Sequence, residues 1–414
     1  MKLEIRSKEK RPGEVNISGS KNSSLPIICA SLLCDEDVVL ENIPNITDVL
    51  TLITILNKIG VKTTFNNNTL YIKKSRKISS NISDSLVGKM RGTYYLMGAL
   101  LPLKKKIIIA SSGGCKLGNR PIDFHLNGFR KMGAYIDLKT DKIYLKRKKL
   151  IPSLIDLAFP SVGATINLML AATKTLGCTI INNCAKEPEI VDVANFINSM
   201  GGDIRGAGTK QIIINGVSKL NKTTYKVMED RIEAGTYLIL GAIRNGVTIH
   251  NANPKNIRSL ISLLRNSGFK VSTRGNQIKL EKKTNLSPFK IVTGPYPGFP
   301  TDLGQPLSVL GLIIPGISTI RETIFNNRIA HIGELRKMNC NINLIGDEIV
   351  IGQTENILPA TTYANDLRAG ASLVLAASMC EEPSTIDNID VFLRGYENPV
   401  DKLASFGIEC NLIE

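Results

Sequence analysis

Tryptophan is absent from the 414 residues and aromatic residues make up only 5%, so bases would find few platforms on which to stack. There are three histidines, and none of the eight cysteines belongs to a CxxC pair, which excludes the common zinc spacings. Eight cysteines in a chain of this length do not form a disulfide scaffold; in a reducing cytoplasm they are expected as free thiols. The start, Met1-Lys2-Leu3-Glu4-Ile5-Arg6, has no apolar signal core. No uninterrupted apolar run approaches the ~20 residues of a membrane span. These absences point to a soluble, cytoplasmic chain.

Charge of one sign is abundant: 52 Lys+Arg stand against 36 Asp+Glu, a formal +16. One reading is a polyanionic partner such as nucleic acid. The other is a site for small, highly charged substrates on a lysine-rich surface. The excess is uneven. Residues 21–229 hold 29 basic and 15 acidic residues, net +14, against 23 and 21 in the remainder. Much of it sits in short runs, Lys104-Lys105-Lys106 and Lys146-Arg147-Lys148-Lys149, which flank strand-like segments and read as solvated turns.

At ~100–200 residues per domain the length suggests two or three domains, and an internal repeat refines this. A polar opening, a small-residue apolar helix and a β-branched strand recur from positions 21, 91, 161, 231, 302 and 368. Between them lies a second landmark, an amphipathic helix ending at glycine and followed by a hairpin. Ile257, Leu260, Ile261 and Leu264 share one helical face; Gly268 stops that helix, and a hairpin turns around Arg274-Gly275-Asn276. The same stop occurs at Gly60, Gly133, Gly201 and Gly407, with Asn339 in the fifth copy. Asparagine is the next best residue for a left-handed cap. The sixth copy ends one strand short of a hairpin, and the Met1 segment could supply it. The chain is therefore expected to form one domain of three repeats, 21–229, and a second from 1–20 plus 230–414, closed by pairing of the two termini.

Lys21, Arg91, Arg231 and Arg368 open four of the six small-residue helices. A helix N-terminus presents free N–H groups and partial positive charge. A cation there opposes the dipole, a cost more readily understood if an anion binds. The segment 111–125 is a glycine-bearing loop in which Lys116 and Arg120 flank Cys115, favouring its thiolate. The other seven cysteines lie in or beside apolar segments and read as buried, inert thiols. Asp302, stiffened by Pro297 and Pro300, could serve as a general base for a hydroxyl or as a helix cap.

The motifs GSKNSSLPI, GGCKLGNRPID, PSVGAT, EPEIVDVANF, DRIEAGT, GFPTDL, FNNR, NDLRAGASL and RGYENPVDKL together resemble the UDP-N-acetylglucosamine 1-carboxyvinyltransferases of the enolpyruvyl transferase family, over essentially the full chain. The resemblance implies an α/β (α+β) fold, a two-domain inside-out α/β barrel of six βαβαββ repeats, three per domain. It implies transfer of the enolpyruvyl group of phosphoenolpyruvate to the 3-hydroxyl of UDP-N-acetylglucosamine by addition–elimination, the first committed step of peptidoglycan synthesis. No metal or organic cofactor is implied, nor any specific nucleic-acid partner.

Site residues follow by the same resemblance. Lys21, Asn22, Arg120, Arg368 and Arg394 are expected at phosphoenolpyruvate. Asn22, Arg91, Arg120, Pro121, Ile122, Asp123, His125, Ser161, Val162, Gly163, Asp302, Ile324 and Arg328 are expected at the nucleotide sugar. Cys115, Asp302, Lys21, Arg394 and Asp366 are expected to be catalytic. Cys115 would donate a proton and form a covalent adduct with phosphoenolpyruvate, and it would be alkylated by fosfomycin. Its loop would close as a lid over the bound sugar. Ser112, Phe159, Asn326 and Gly304 depart from common family choices, and none belongs to the set Lys21, Cys115, Arg120, Asp302 and Arg394. The sister activity on shikimate 3-phosphate is the enzymatic rival; the cysteine loop argues against it.

Overall fold

A computed structural model describes every residue except 76, 83–84, 112–121, 282–284, 326 and 414. The small-residue helices carry no charged residue beyond the first turn and are otherwise dominated by small and apolar side chains. Such helices must be buried on all sides, and Val162–Thr173 is: Ala164 through Thr173 are all buried. Arg231–Ile243 is buried along its full length. The amphipathic helices behave differently. Arg258–Asn266 buries only Leu260, Ile261, Leu263 and Leu264.

The contacts divide the described residues into two compact units, 19–228 and 1–18 with 229–413, each with its own apolar core. Each unit carries three four-stranded sheets of one design. In the first unit Val38–Glu41 pairs in parallel with Thr223–Lys226 and antiparallel with Thr69–Ile72, which pairs antiparallel with Thr63–Asn66. The sheets centred on Lys106–Ala110 and Gly177–Asn182 repeat the order. So do those of the second unit, centred on Val247–His250, Ile317–Arg321 and Ser384–Asp387.

The inside-out barrel is corrected by these sheets. None of the six closes on itself; each ends in two distinct edge strands. A closed barrel demands a continuous ladder with matched tilt and stagger, and four short strands backed by helices do not supply it. The architecture is α/β with mixed, open sheets.

The terminal segments meet in one sheet. Lys2–Ser7 lies between Ser384–Asp387 and Ile408–Ile413, antiparallel to both, with Lys2 opposite Ile413. Arg244 fastens this region. Its side chain is fully buried, and it donates to Ser7 Oγ at 2.8 Å, to Phe406 O at 3.1 Å, and to the carbonyls of Ser378 and Glu9. The helix stops have left-handed backbone: Gly60, Gly133, Gly201, Gly268 and Gly407 have φ between 74° and 99°, and Asn339 has φ 62°. Glycine adopts this region freely and asparagine tolerates it.

Candidate functional site

In the first unit the predicted residues gather at the starts of helices. Ser20 caps Lys21–Ala30 by accepting from Ser23 N at 3.3 Å. Lys21, the first helical residue, places Nζ 3.7 Å from the nearly buried carboxylate of Asp48. Asn22 is half-buried beside it. Arg91 opens the short turn Arg91–Tyr94, and burial lowers the affinity of its guanidinium for a proton.

His125 lies in Asp123–Lys131 and is buried. Asn167 defines its protonation. Asn167 Oδ1 accepts from Gly98 N at 2.9 Å, so its amide nitrogen faces His125 Nδ1 at 2.8 Å. Nδ1 must then accept, and the neutral ring carries its proton on Nε2. Burial, reinforced by Arg91, pushes this imidazole down to about 3, which keeps it neutral at physiological pH. The ring packs against the first turn of Val162–Thr173, where Ser161 is the cap and accepts from Ala164 N at 3.3 Å. A Cβ on Gly163 would lie 3.0 Å from His125 Cε1, so the missing side chain permits the close approach. Ile122 is half-buried, and Asp123 is exposed in the first helical turn.

The second unit holds a denser constellation. Asp302 is the second residue of Thr301–Gly311 and does not cap that helix. Its Oδ1 lies 2.6 Å from Arg328 Nη2, and its Oδ2 lies 2.9 Å from Arg368 Nη2. Both arginine side chains are only 5% exposed, against 24% for the aspartate. Burial alone would raise the Asp302 pKa, but the two guanidinium groups prevail and hold it well below the usual carboxylate range. The chain of bonds continues on both sides. Arg328 Nη1 donates to Thr301 Oγ1 at 2.7 Å, and that hydroxyl donates to Glu322 Oε2 at 2.7 Å. Arg368 Nη1 donates to Tyr396 Oη at 3.2 Å, and Tyr396 Oη lies 2.8 Å from Thr236 Oγ1.

Asp366 does a structural task at this place. Its Oδ1 accepts from Arg368 N at 2.8 Å and Ala369 N at 3.1 Å, capping Leu367–Ala377. Its Oδ2 faces Gln305 Nε2 at 3.4 Å. Ile324 donates its N–H to Glu322 Oε1 at 2.7 Å, and Arg394 is half-buried just beyond Asp390–Leu393.

This arrangement, an ionised carboxylate between two buried arginines at a helix start, suits an acceptor hydroxyl beside an anionic co-substrate. Comparisons with known proteins identify the family. The family model described as EPSP synthase (3-phosphoshikimate 1-carboxyvinyltransferase) matches residues 5–403. UDP-N-acetylglucosamine 1-carboxyvinyltransferase of Thermotoga petrophila is 39% identical over 407 residues, covering 97% of this chain and 96% of its own length. That of Buchnera aphidicola subsp. Baizongia pistaciae is 43% identical over 403 residues, covering 96% and 97%. The chain belongs to the UDP-N-acetylglucosamine 1-carboxyvinyltransferases.

Among solved structures, the enolpyruvyl transferase NikO from Streptomyces tendae aligns with TM-score 0.90 at 23% identity, covering 99% of this chain and 98% of its own. EPSP synthase from Acinetobacter baumannii aligns with TM-score 0.74 at 16% identity, covering both chains fully. These two likenesses concern the fold alone.

Cys115, Arg120 and Pro121 lie outside the described residues. Of the remaining cysteines, Cys178 is exposed in Gly177–Asn182, contrary to the expectation of seven sheltered thiols; the alternation of that strand turns its side chain to the solvent face. Thr301, Glu322, Tyr396 and Thr236 had no predicted role. Three of them sit inside the motifs GFPTDL, RGYENPVDKL and DRIEAGT, the available signal, but their partners are distant in sequence. Among the described residues no helix is long and apolar enough to cross a membrane, and no group of three or more His, Cys, Asp or Glu could hold a metal ion.

Proposed function

We propose that this chain transfers the enolpyruvyl group of phosphoenolpyruvate to the 3-hydroxyl of UDP-N-acetylglucosamine and releases phosphate, in the cytoplasm, as the first committed step of peptidoglycan synthesis. Near-full-length identity of 39–43% to enzymes of that name carries this reading. The reaction draws on amino-acid side chains for its charge stabilisation, without a metal or organic cofactor.

Asp302 takes the proton of the sugar hydroxyl as its oxygen bonds to the central carbon of phosphoenolpyruvate. Cys115 supplies the proton that converts the methylene to a methyl group. In the tetrahedral phospho-ketal that results, the carbon–oxygen bond to phosphate breaks and the methyl group returns a proton, giving the enolpyruvyl ether. Preorganised cations serve such a reaction better than water because they need not reorient as charge develops. Lys21, Asn22, Arg120, Arg368 and Arg394 receive phosphoenolpyruvate, whose carboxylate and phosphate suit planar guanidinium groups. Arg91, Arg120, Pro121, Ile122, Asp123, His125, Ser161, Val162, Gly163, Ile324 and Arg328 receive the nucleotide sugar. Neutral His125 and the N–H groups beginning Val162–Thr173 offer donors to a diphosphate. Asp366 fixes the backbone of Arg368 and assists proton movement nearby. The charge excess is surface rather than a nucleic-acid site.

Phosphate release from the two substrates, wild type beside Cys115→Ala, tests the reading. Wild type should turn over and the variant should be inactive. An active variant would remove the role given to Cys115. Turnover of shikimate 3-phosphate in place of the nucleotide sugar would refute the whole assignment.

A further inference from the structure

We infer that Tyr396 is a positioning residue for this reaction: its hydroxyl fixes the plane of the Arg368 guanidinium and thereby keeps Asp302 available to substrate. The inference rests on the function proposed above. One neighbouring bond assigns the directions in this network. Thr236 Oγ1 donates to Ile232 O at 2.9 Å, so its proton is committed. The Tyr396 hydroxyl therefore donates to Thr236, 2.8 Å away, and accepts from Arg368 Nη1 at 3.2 Å. One end of the guanidinium is held by the phenol and the other by Asp302 Oδ2 at 2.9 Å.

The ring itself cannot shift readily. Tyr396 is 2% exposed and stacks on Phe392 with centroids 4.4 Å apart and planes 24° from parallel. Asp302 favours the charged guanidinium of Arg368 most, followed by Tyr396 and Asp230, and Asp230 is engaged in capping its helix through Ile232 N and Glu233 N. Without the phenolic oxygen, Arg368 has every reason to turn both terminal nitrogens onto Asp302. The bidentate fork is the preferred arginine–carboxylate geometry. With Arg328 already on Oδ1, such a fork would occupy the carboxylate and remove Arg368 from any second anion. The phenol acts through arginine and touches no reacting atom.

Tyr396→Phe keeps the ring and removes the hydroxyl. Its kcat should fall about tenfold, the scale of one charge-assisted hydrogen bond, and its KM for phosphoenolpyruvate should rise. KM for the nucleotide sugar and the melting temperature should stay near wild type. Phe392→Leu is the structural control: it removes the stacking partner, keeps the hydroxyl, and should lower the melting temperature more than kcat. A Tyr396→Phe kcat within about twofold of wild type, smaller than the loss of such a bond implies, overturns the inference alone. Parallel loss of kcat and melting temperature in both variants also overturns it, by making the effect structural. A wild type that releases no phosphate from this substrate pair overturns the inference and the proposed function together.

Discussion

Glu233 and Lys402 should make the stability of the second unit depend on pH in a sense opposite to an ordinary ion pair. Glu233 sits in the first turn of Arg231–Ile243, 2% exposed, with Lys402 Nζ 2.6 Å from Oε1. Ser18 N donates to Oε2 at 2.9 Å, and Lys402 also reaches Ser18 Oγ at 2.7 Å. Despite the lysine, burial prevails and raises the carboxyl from 4.5 to about 7. The folded state then binds more protons than the unfolded state between those values. The associated stabilisation is fully present below 4.5 and is lost as pH rises through about 7. Lys402→Met removes the cation that favours ionisation and moves the carboxyl higher still. Below the wild-type value the cation matters least, and the substitution should cost about 1 kcal/mol for its lost hydrogen bonds. About two pH units above the wild-type value, the variant must still keep the carboxyl protonated, and the extra cost reaches about 3 kcal/mol at 1.36 kcal/mol per unit. Urea denaturation of both proteins across this range measures the difference. Adding Glu233→Gln should flatten it. A cost that is independent of pH, or that shrinks as pH rises, would refute the reasoning.

Asp302→Asn should reduce kcat by about a hundredfold or more, the scale of a lost general base, measured as phosphate release. Because Asp302 is held below the usual carboxylate range, its stabilisation is present at neutral pH and lost as pH falls through its folded-state value; the variant should therefore show a shallower acid limb in thermal unfolding. Gly163→Ala should press on His125, which the Asn167 bond prevents from retreating. About 1–2 kcal/mol of overpacking should appear as a raised KM for the nucleotide sugar, with that for phosphoenolpyruvate unchanged, in steady-state kinetics.

Local patterns in the sequence carried much of this structure, and long-range ones did not. Helix openings and stops are set within a few residues by caps and backbone preference, which is why Lys21, Arg231 and the glycine at 268 mark their elements. Asn339 could be placed among glycines because few other residues tolerate its φ of 62°. Sheet closure has no local signature: the same alternation builds an open four-stranded sheet or a barrel, and expecting closure was an error. The partners of Asp302 were equally hidden. Its capping role looked as plausible as its chemical one until Arg328 and Arg368 were seen on its two oxygens. Asp366 reversed the case, with one oxygen committed to two backbone N–H groups of its own helix.

The strand Lys2–Ser7 has a consequence for synthesis on the ribosome. It precedes residues 19–228 in the chain, yet its neighbours are Ser384–Asp387 and Ile408–Ile413, which follow them. The unit 19–228 contains all the strands of its three sheets and can finish while that first strand waits. The sheet that holds Lys2–Ser7 can therefore be completed only after Ile408–Ile413 has been made. Until then Leu3 and Ile5, buried in the finished unit, lack the sheet partners that flank them. Lys2, Glu4 and Arg6 alternate with them, a charged pattern that discourages pairing with a stranger's edge.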